Sequence, residues 1–254
     1  MKVRILGCGT SSGVPRIGND WGACDRSEPR NRRRRVAILV EFATTRILVD
    51  TGPDLREQLL DADVDRVDAV IWTHDHADHC HGIDELRQIY HKRGGPVPGY
   101  ARPATLDALR TRFAYAFIGN DGYPPTVDGQ ALSDHLDFGD GSISVIDQPH
   151  GSISSAGLIF RSGDTKLVYS TDFNGLTDEM LDKYQDADLW IVDALRRHPH
   201  PTHPHLEQAL GWIEAVAPKA ALLTHMDKSM DYATLCAELP HHVRPAHDGL
   251  ELLL

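Results

Sequence analysis

The chain has 254 residues, 41% of them apolar, with 26 basic against 37 acidic side chains and a formal net charge of −11. That balance works against long nucleic acids, whose affinity comes mainly from neutralised phosphates. No run approaches the roughly 20 apolar residues of a membrane span, the N-terminus has no apolar stretch of signal-peptide length, and Cys8, Cys24, Cys80 and Cys236 show no paired spacing, so a cytoplasmic protein without a membrane partner is expected. In chain order, strands are predicted at 2–7, 36–42, 46–50 and 68–73, then a helix at 83–92, a strand at 97–101 and a helix at 103–116. Residues 119–125, Gly-Asn-Asp-Gly-Tyr-Pro-Pro, read as an irregular loop, either a lid or a connector. Strands at 143–148, 157–161 and 166–170 follow, then helix 176–184, strand 188–193, helix 205–216, strand 219–224, helix 230–237 and an apolar run at 250–254. Consecutive strands that later alternate with helices predict a mixed, layered α/β architecture. No Pro/Gly/Ser linker divides the chain, so residues 1–254 read as one domain.

Residues 72–79 read Trp-Thr-His-Asp-His-Ala-Asp-His. His74, His76, Asp78 and His79 place three imidazoles and a carboxylate within six residues. Imidazole is the commonest metal ligand, and imidazole with carboxylate suits zinc, manganese, iron or cobalt. The string follows an apolar strand-like run, Val67 to Trp72, and a strand end feeding a loop is where a rigid scaffold presents chemistry. His74 and His76 alternate, so an extended backbone can point both to one side; Asp78 and His79 lie beyond the bend and can face a second metal.

The order His-x-His-x-Asp-His resembles the signature of the metallo-β-lactamase superfamily. The resemblance implies a four-layer αβ/βα sandwich whose metals sit at one edge between two sheets. It also implies later ligands, and candidates stand at the ends of apolar runs: His150 after 143–147, Asp172 after 166–169 and His225 after 220–223. Taken singly, each also reads as a loop or core histidine or as a helix cap. By resemblance, His74, His76 and His150 hold one divalent metal, Asp78, His79 and His225 hold the other, and Asp172 bridges them. A metal-bridged hydroxide would then be the nucleophile.

Residues 198–209, His-Pro-His-Pro-Thr-His-Pro-His-Leu-Glu-Gln-Ala, are similar to the histidine motif of ribonuclease Z and of the phosphoribosyl cyclic phosphodiesterases. His203 is the matching position. The resemblance gives it a catalytic role on the phosphate or leaving group, beside Asp78, with His200 and His203 among the substrate contacts. The loop Gly7 to Pro15 with Arg16 also looks like the cyclic-phosphodiesterase group and offers Ser11, Ser12 and Arg16 to the substrate. The expected activity is hydrolysis of a small cyclic or nucleotide-like phosphodiester. Ribonuclease Z-like tRNA 3′ processing, thioester hydrolysis and a catalytically silent nucleotide binder are the alternatives. Only 29 residues follow His225, too few for the helical domain of a glyoxalase II-like thioesterase. A homodimer is compatible with the class.

One departure from the resemblance concerns Cys24. The group's Cys-x-Cys-x-x-Cys element is reduced here to that single thiol, and Lys228 stands where a later histidine is expected. A lone thiol cannot close a four-ligand site, so no structural zinc is expected and packing, with Trp21 buried, should hold the loop. The basic run Arg30, Arg32, Arg33, Arg34 and Arg35 reads either as a solvated turn or as a source of phosphate-binding arginines. His81 and His247 are candidate supports for the ligands.

Overall fold

Apolar residues on both faces of a strand require a layer on each side of the sheet. In β1 (Lys2–Gly7), β2 (Ala37–Glu41), β3 (Arg46–Val49) and β4 (Ala69–Trp72) this condition is met. Val3, Ile5, Ile38, Val40, Ile47, Val49, Ala69 and Ile71 face the larger core between two sheets. Leu6, Ala37, Leu39, Leu48, Val70 and Trp72 point the other way, into a second core beneath helices. The split is the period-2 alternation of an extended chain.

A computed structural model describes residues 1–254. After β3 come α1 (Leu55–Asp61), then β4, α2 (Ala77–Cys80), α3 (Leu86–Arg93), β5 (Val97–Ala101), α4 (Pro103–Arg112), α5 (Ala114–Ile118) and β6 (Val127–Ala131). The second half has β7 (His135–Asp137), β8 (Ser142–His150), β9 (Ile153–Ser162), β10 (Thr165–Ser170), α6 (Asp178–Tyr184), β11 (Leu189–Asp193), α7 (Leu206–Val216), β12 (Ala221–Thr224), α8 (Tyr232–Glu238), β13 (Val243–Pro245) and β14 (Glu251–Leu253). One sheet runs β14-β1-β2-β3-β4-β5-β6 and the other β13-β12-β11-β10-β9-β8-β7. Each changes from antiparallel to parallel pairing along its width, at β3/β4 and at β10/β11. The result is the expected α/β sandwich of helices, sheet, sheet and helices.

The predicted helix over 103–116 is interrupted at Phe113 (φ −121°, ψ 40°), giving α4 and α5. Elements not predicted are α1, α2, β6, β7 and β13. The 119–125 loop turns back on itself between Asn120 and Tyr123 and shares a cavity with Asp84, Arg87 and Tyr90, which includes no candidate ligand. This favours a connector over a lid.

The parallel strands fix where the chemistry can sit. β4, β10, β11 and β12 deliver residues 73–79, 171–172, 193 and 225 from their C-terminal ends, the usual ligand edge of open parallel sheets. Two glycines seat the first of these loops. A Cβ on Gly52 would stand 2.3 Å from the Asp78 carbonyl oxygen, and one on Gly82 would stand 2.1 Å from the Gly52 carbonyl oxygen. Neither gap admits a side chain.

Candidate metal centre

His74, His79, His150, Asp78, Asp172 and His225 are buried, whereas His76 is exposed, so the cluster opens to solvent beside His76. Asp172 stands in the middle. Its Oδ1 lies 3.7 Å from His74 Nε2 and 3.8 Å from His150 Nε2, while its Oδ2 lies 3.1 Å from His79 Nε2 and 3.6 Å from His225 Nε2. His76 Nδ1 is 3.3 Å from His150 Nε2. Asp78 Oδ2 is 3.4 Å from His225 Nε2 and 3.5 Å from His79 Nε2. Three overlapping donor groups could hold an ion: His74, His76, His150 and Asp172; Asp78, His79 and His225; and Asp172, Asp193, His203 and His225. Asp172 and His225 adopt left-handed backbone conformations, φ 54° and 58°, and so does Asp50 at 65°. Such strain in residues other than glycine gathers at functional sites.

Buried carboxylates fix the imidazoles from behind. Asp50, at the end of β3, is fully buried; His79 Nδ1 donates to its Oδ2 at 2.7 Å. The Thr73 hydroxyl donates to the same carboxylate at 2.9 Å and accepts from His74 Nδ1 at 3.1 Å. These bonds spend the Nδ1 protons and turn the Nε2 lone pairs inward. His74 Nε2 is buried with no hydrogen-bond partner, as a ligand nitrogen should be, and His79 Nε2 faces Asp172 Oδ2 at 3.1 Å. His150 Nδ1 donates to the Thr202 carbonyl at 3.0 Å. Asp50 and Asp193 were not foreseen. Both end apolar strands with an acid, the same signal that singled out Asp172.

The charges follow from this packing. Burial and the neighbouring His79 hold the His74 imidazole far below its ordinary range, so it is neutral. Burial opposes protonation of His225, but Asp172, Asp193 and Asp78 override it and push His225 up to about 9. His79 moves the same way under Asp172, Asp78 and Asp50, against burial. Burial works against ionising Asp172, yet His225, His79 and His74 hold its carboxyl well below the usual range. A pocket that raises His79 and His225 and lowers Asp78 and Asp172 attracts positive charge.

His203 is half-buried at the rim. Its Nδ1 donates to Asp193 Oδ2 at 2.8 Å, its Nε2 lies 3.8 Å from Asp172 Oδ1, and its ring stacks on His225 at 4.9 Å. Asp193 Oδ2 also accepts from the Asp172 amide at 3.0 Å, and Oδ1 faces His225 Nδ1 at 3.9 Å. His200 sits 5.1 Å from the His203 ring, with Nδ1 accepting from the Thr202 amide at 3.3 Å. Ser11, Ser12 and Arg16 form a separate, exposed group. Arg16 Nε donates to Ser12 Oγ at 3.1 Å, and the loop joins the centre through Thr10 N to the carbonyl of Met226, next to His225.

Several expectations are corrected. Trp21 is only half-buried, its Nε1 donating to Asn19 and its ring 5.6 Å from the Arg32 guanidinium; the segment around Cys24 is held by polar cross-links instead. The basic run does not act as one set: Arg30 and Arg32 are exposed, as a solvated turn requires, Arg34 and Arg35 are half-buried, and Arg33 is buried. Arg30 pairs with Glu28, Arg34 with Asp61 and Arg35 with Asp54, and Arg33 is 2% exposed. His247 bonds the Asp248 carbonyl and packs against Tyr232, and His81 turns outward onto Phe113; neither meets a candidate ligand.

Residues 45–226 match the family model described as a β-lactamase superfamily domain. An octanoyltransferase from Porphyromonas gingivalis is 32% identical over the whole of this chain, covering 52% of that protein. A ribonuclease Z from Bradyrhizobium diazoefficiens is 33% identical over 54% of this chain and 47% of its own. The chain thus spans about half the length of each of these two relatives. The crystal structure of a diphosphatase from the PhnP family superposes with a TM-score of 0.90 at 32% identity, covering 99% of this chain and 96% of that one. No helix is long and apolar enough to cross a membrane.

Proposed function

This chain belongs to the β-lactamase superfamily, and from that premise we propose that it is a metal-dependent hydrolase that cleaves a small cyclic or nucleotide-like phosphodiester. The observation that carries this reading is the pairing of a carboxylate set between two histidine groups, Asp172, with a separate imidazole at the rim, His203, that is held by its own carboxylate. In this reading His74, His76 and His150 hold one ion, Asp78, His79 and His225 a second, and Asp172 serves both. The donors are nitrogen and oxygen only, a set that accepts zinc, manganese, iron or cobalt. Ions held there supply Lewis acidity and an activated water near neutral pH.

The chain's own residues do the rest. Asp193 holds the Nδ1 proton of His203, so Nε2 faces the Asp172 side, and only the imidazolium, formed when Nε2 takes up a second proton, would have one there to give a leaving alkoxide. Ser11, Ser12 and Arg16 supply donors for phosphate oxygens from the facing loop, and His200 shapes the shoulder beside His203. The similarity to a PhnP-family diphosphatase favours a second reading, hydrolysis of a diphosphate linkage, which uses the same groups on a phosphate leaving group. A tRNA substrate is opposed by the net charge of −11. Octanoyl transfer is not carried over, because about half of that relative lies outside the match.

The test is elemental analysis of untagged protein together with hydrolysis of bis(p-nitrophenyl) phosphate, then a panel of ribose cyclic phosphates and nucleoside diphosphates. About two ions per chain with diester turnover supports the proposal. Turnover of diphosphates alone selects the second reading. One ion or none after supplying zinc and manganese overturns the ligand assignment.

A further inference from the structure

Arg33 is a charged side chain in the interior, away from the metal-binding cluster. Only 2% of it is exposed, and burying a guanidinium is costly unless its fork is filled. Two backbone carbonyls and two side chains meet the terminal nitrogens, while the buried Nε has no partner. Nη2 donates to the Met230 carbonyl at 2.5 Å and to Asn31 Oδ1 at 3.2 Å; Nη1 donates to the Asp227 carbonyl at 3.2 Å and lies 3.9 Å from Cys24 Sγ. No carboxylate is in direct contact. Asn31, fully buried, continues the network to Asp231 Oδ2 at 2.7 Å and receives the Tyr232 amide at 2.8 Å.

Arg33 therefore grips the turn 227–230, and that turn holds both substrate-side loops. On one side, Arg33 and Val14 exchange backbone hydrogen bonds at 2.8 and 2.9 Å, which anchors the loop carrying Ser11, Ser12 and Arg16; Arg16 Nη2 also lies 4.0 Å from Asp227 Oδ2. On the other side, the Asp227 amide donates to the Leu195 carbonyl at 2.8 Å, and Arg197 N and Nε reach Ser229 at 3.3 Å. Residues 195–197 lead directly to His200 and His203. The metal loop 73–79 makes no hydrogen bond with this network; it rests on Asp50, Thr51 and Gly52.

We propose that Arg33 is a positioning residue: its buried guanidinium sets the spacing between the Ser11–Arg16 loop and the His203 loop, while the ligand loop 73–79 rests on other elements. The inference rests on the proposed phosphodiester reading only for its kinetic arm. Lysine at this position keeps the charge but has no planar fork and cannot serve two carbonyls from a fixed plane. Misplacement of the two walls then lowers catalysis without removing a catalytic group.

The experiment compares metal-loaded wild type with Arg33→Lys and Arg33→Met, by elemental analysis, amide hydrogen exchange and steady-state kinetics on bis(p-nitrophenyl) phosphate. Expected for Arg33→Lys are wild-type metal content, faster exchange in both 10–16 and 195–203 with 74–80 unchanged, and a fall of about tenfold or more in kcat/KM. Arg33→Met should be more severe in the same segments. Uniformly faster exchange, faster exchange in only one of the two loops, or kcat/KM within twofold of wild type would overturn the proposal. If wild type cleaves no diester, the functional reading fails, and the exchange pattern still decides the role of Arg33.

Discussion

Asp193→Asn removes one negative charge while keeping the size and shape of the side chain. In the native chain, Asp193 Oδ2 accepts from His203 Nδ1 at 2.8 Å and from the Asp172 amide at 3.0 Å, and Oδ1 faces His225 Nδ1 at 3.9 Å. Asparagine offers one oxygen and one NH2. With the oxygen toward His203, the NH2 points at His225; with the amide reversed, His203 and the Asp172 amide both lose their acceptor. The first orientation is the less costly, and in it His203 exchanges a carboxylate partner for a neutral one. A hydrogen bond to a charged group contributes about 1.5–3 kcal/mol and a neutral one about 0.5–1.5, so about 1–1.5 kcal/mol is lost and kcat should fall roughly 5- to 15-fold. The assay is bis(p-nitrophenyl) phosphate hydrolysis at saturating substrate, with metal content measured on the same preparation. KM should change by less than about threefold, because Asp193 is fully buried and does not meet substrate. A kcat within threefold of wild type at equal metal content would refute the reasoning. Loss of metal with unchanged rate per bound metal would mean that Asp193 serves His225 and not His203.

Four further outcomes are expected. His203→Ala should keep its metal and lose about 10²- to 10⁴-fold in kcat, measured against the same diester. His76→Ala and Asp78→Ala should each lose close to one ion per chain by elemental analysis and have no measurable turnover. Gly52→Ala forces a Cβ to within 2.3 Å of the Asp78 carbonyl oxygen, so the melting temperature should drop by several degrees and metal affinity should weaken with it. Asp231 is buried, which alone would raise its carboxyl, but bonds from Asp25 N, Thr234 N and Oγ1 and Asn31 Nδ2 hold it below the ordinary range. A carboxyl lowered by folding stabilises above its unfolded value near 4 and ceases to do so as pH falls through the folded value. Asp231→Asn should therefore melt about 4–8 °C lower at pH 7, for a loss of ~2 kcal/mol, with the gap to wild type closing progressively below about pH 4 in calorimetry.

The strands that escaped sequence reading share a physical cause. β6 carries Asp128, Gly129 and Gln130, poor strand formers, and exists because β5 pairs beside it. β7 is three largely exposed residues at a sheet edge, and β13 ends in a proline that only an edge strand tolerates. Their apolar periodicity is too short to register, and the neighbouring strand defines them.

The sequence by itself determined the buried strands and the density of ligands in residues 74–79, because these depend on neighbours two to five positions away. It also marked His150, Asp172 and His225 as residues ending apolar runs. Only the tertiary structure decided that Asp172 presents one oxygen to each histidine group, that Asp50 and Asp193 stand behind the imidazoles, and that Arg33 turns inward from a basic run to grip residues 227–230. Those contacts join side chains about 10 to nearly 200 positions apart, and nothing local distinguishes a buried carboxylate or guanidinium from an exposed one. The burial, and with it the charge state and the role, comes from the packing of two sheets around them.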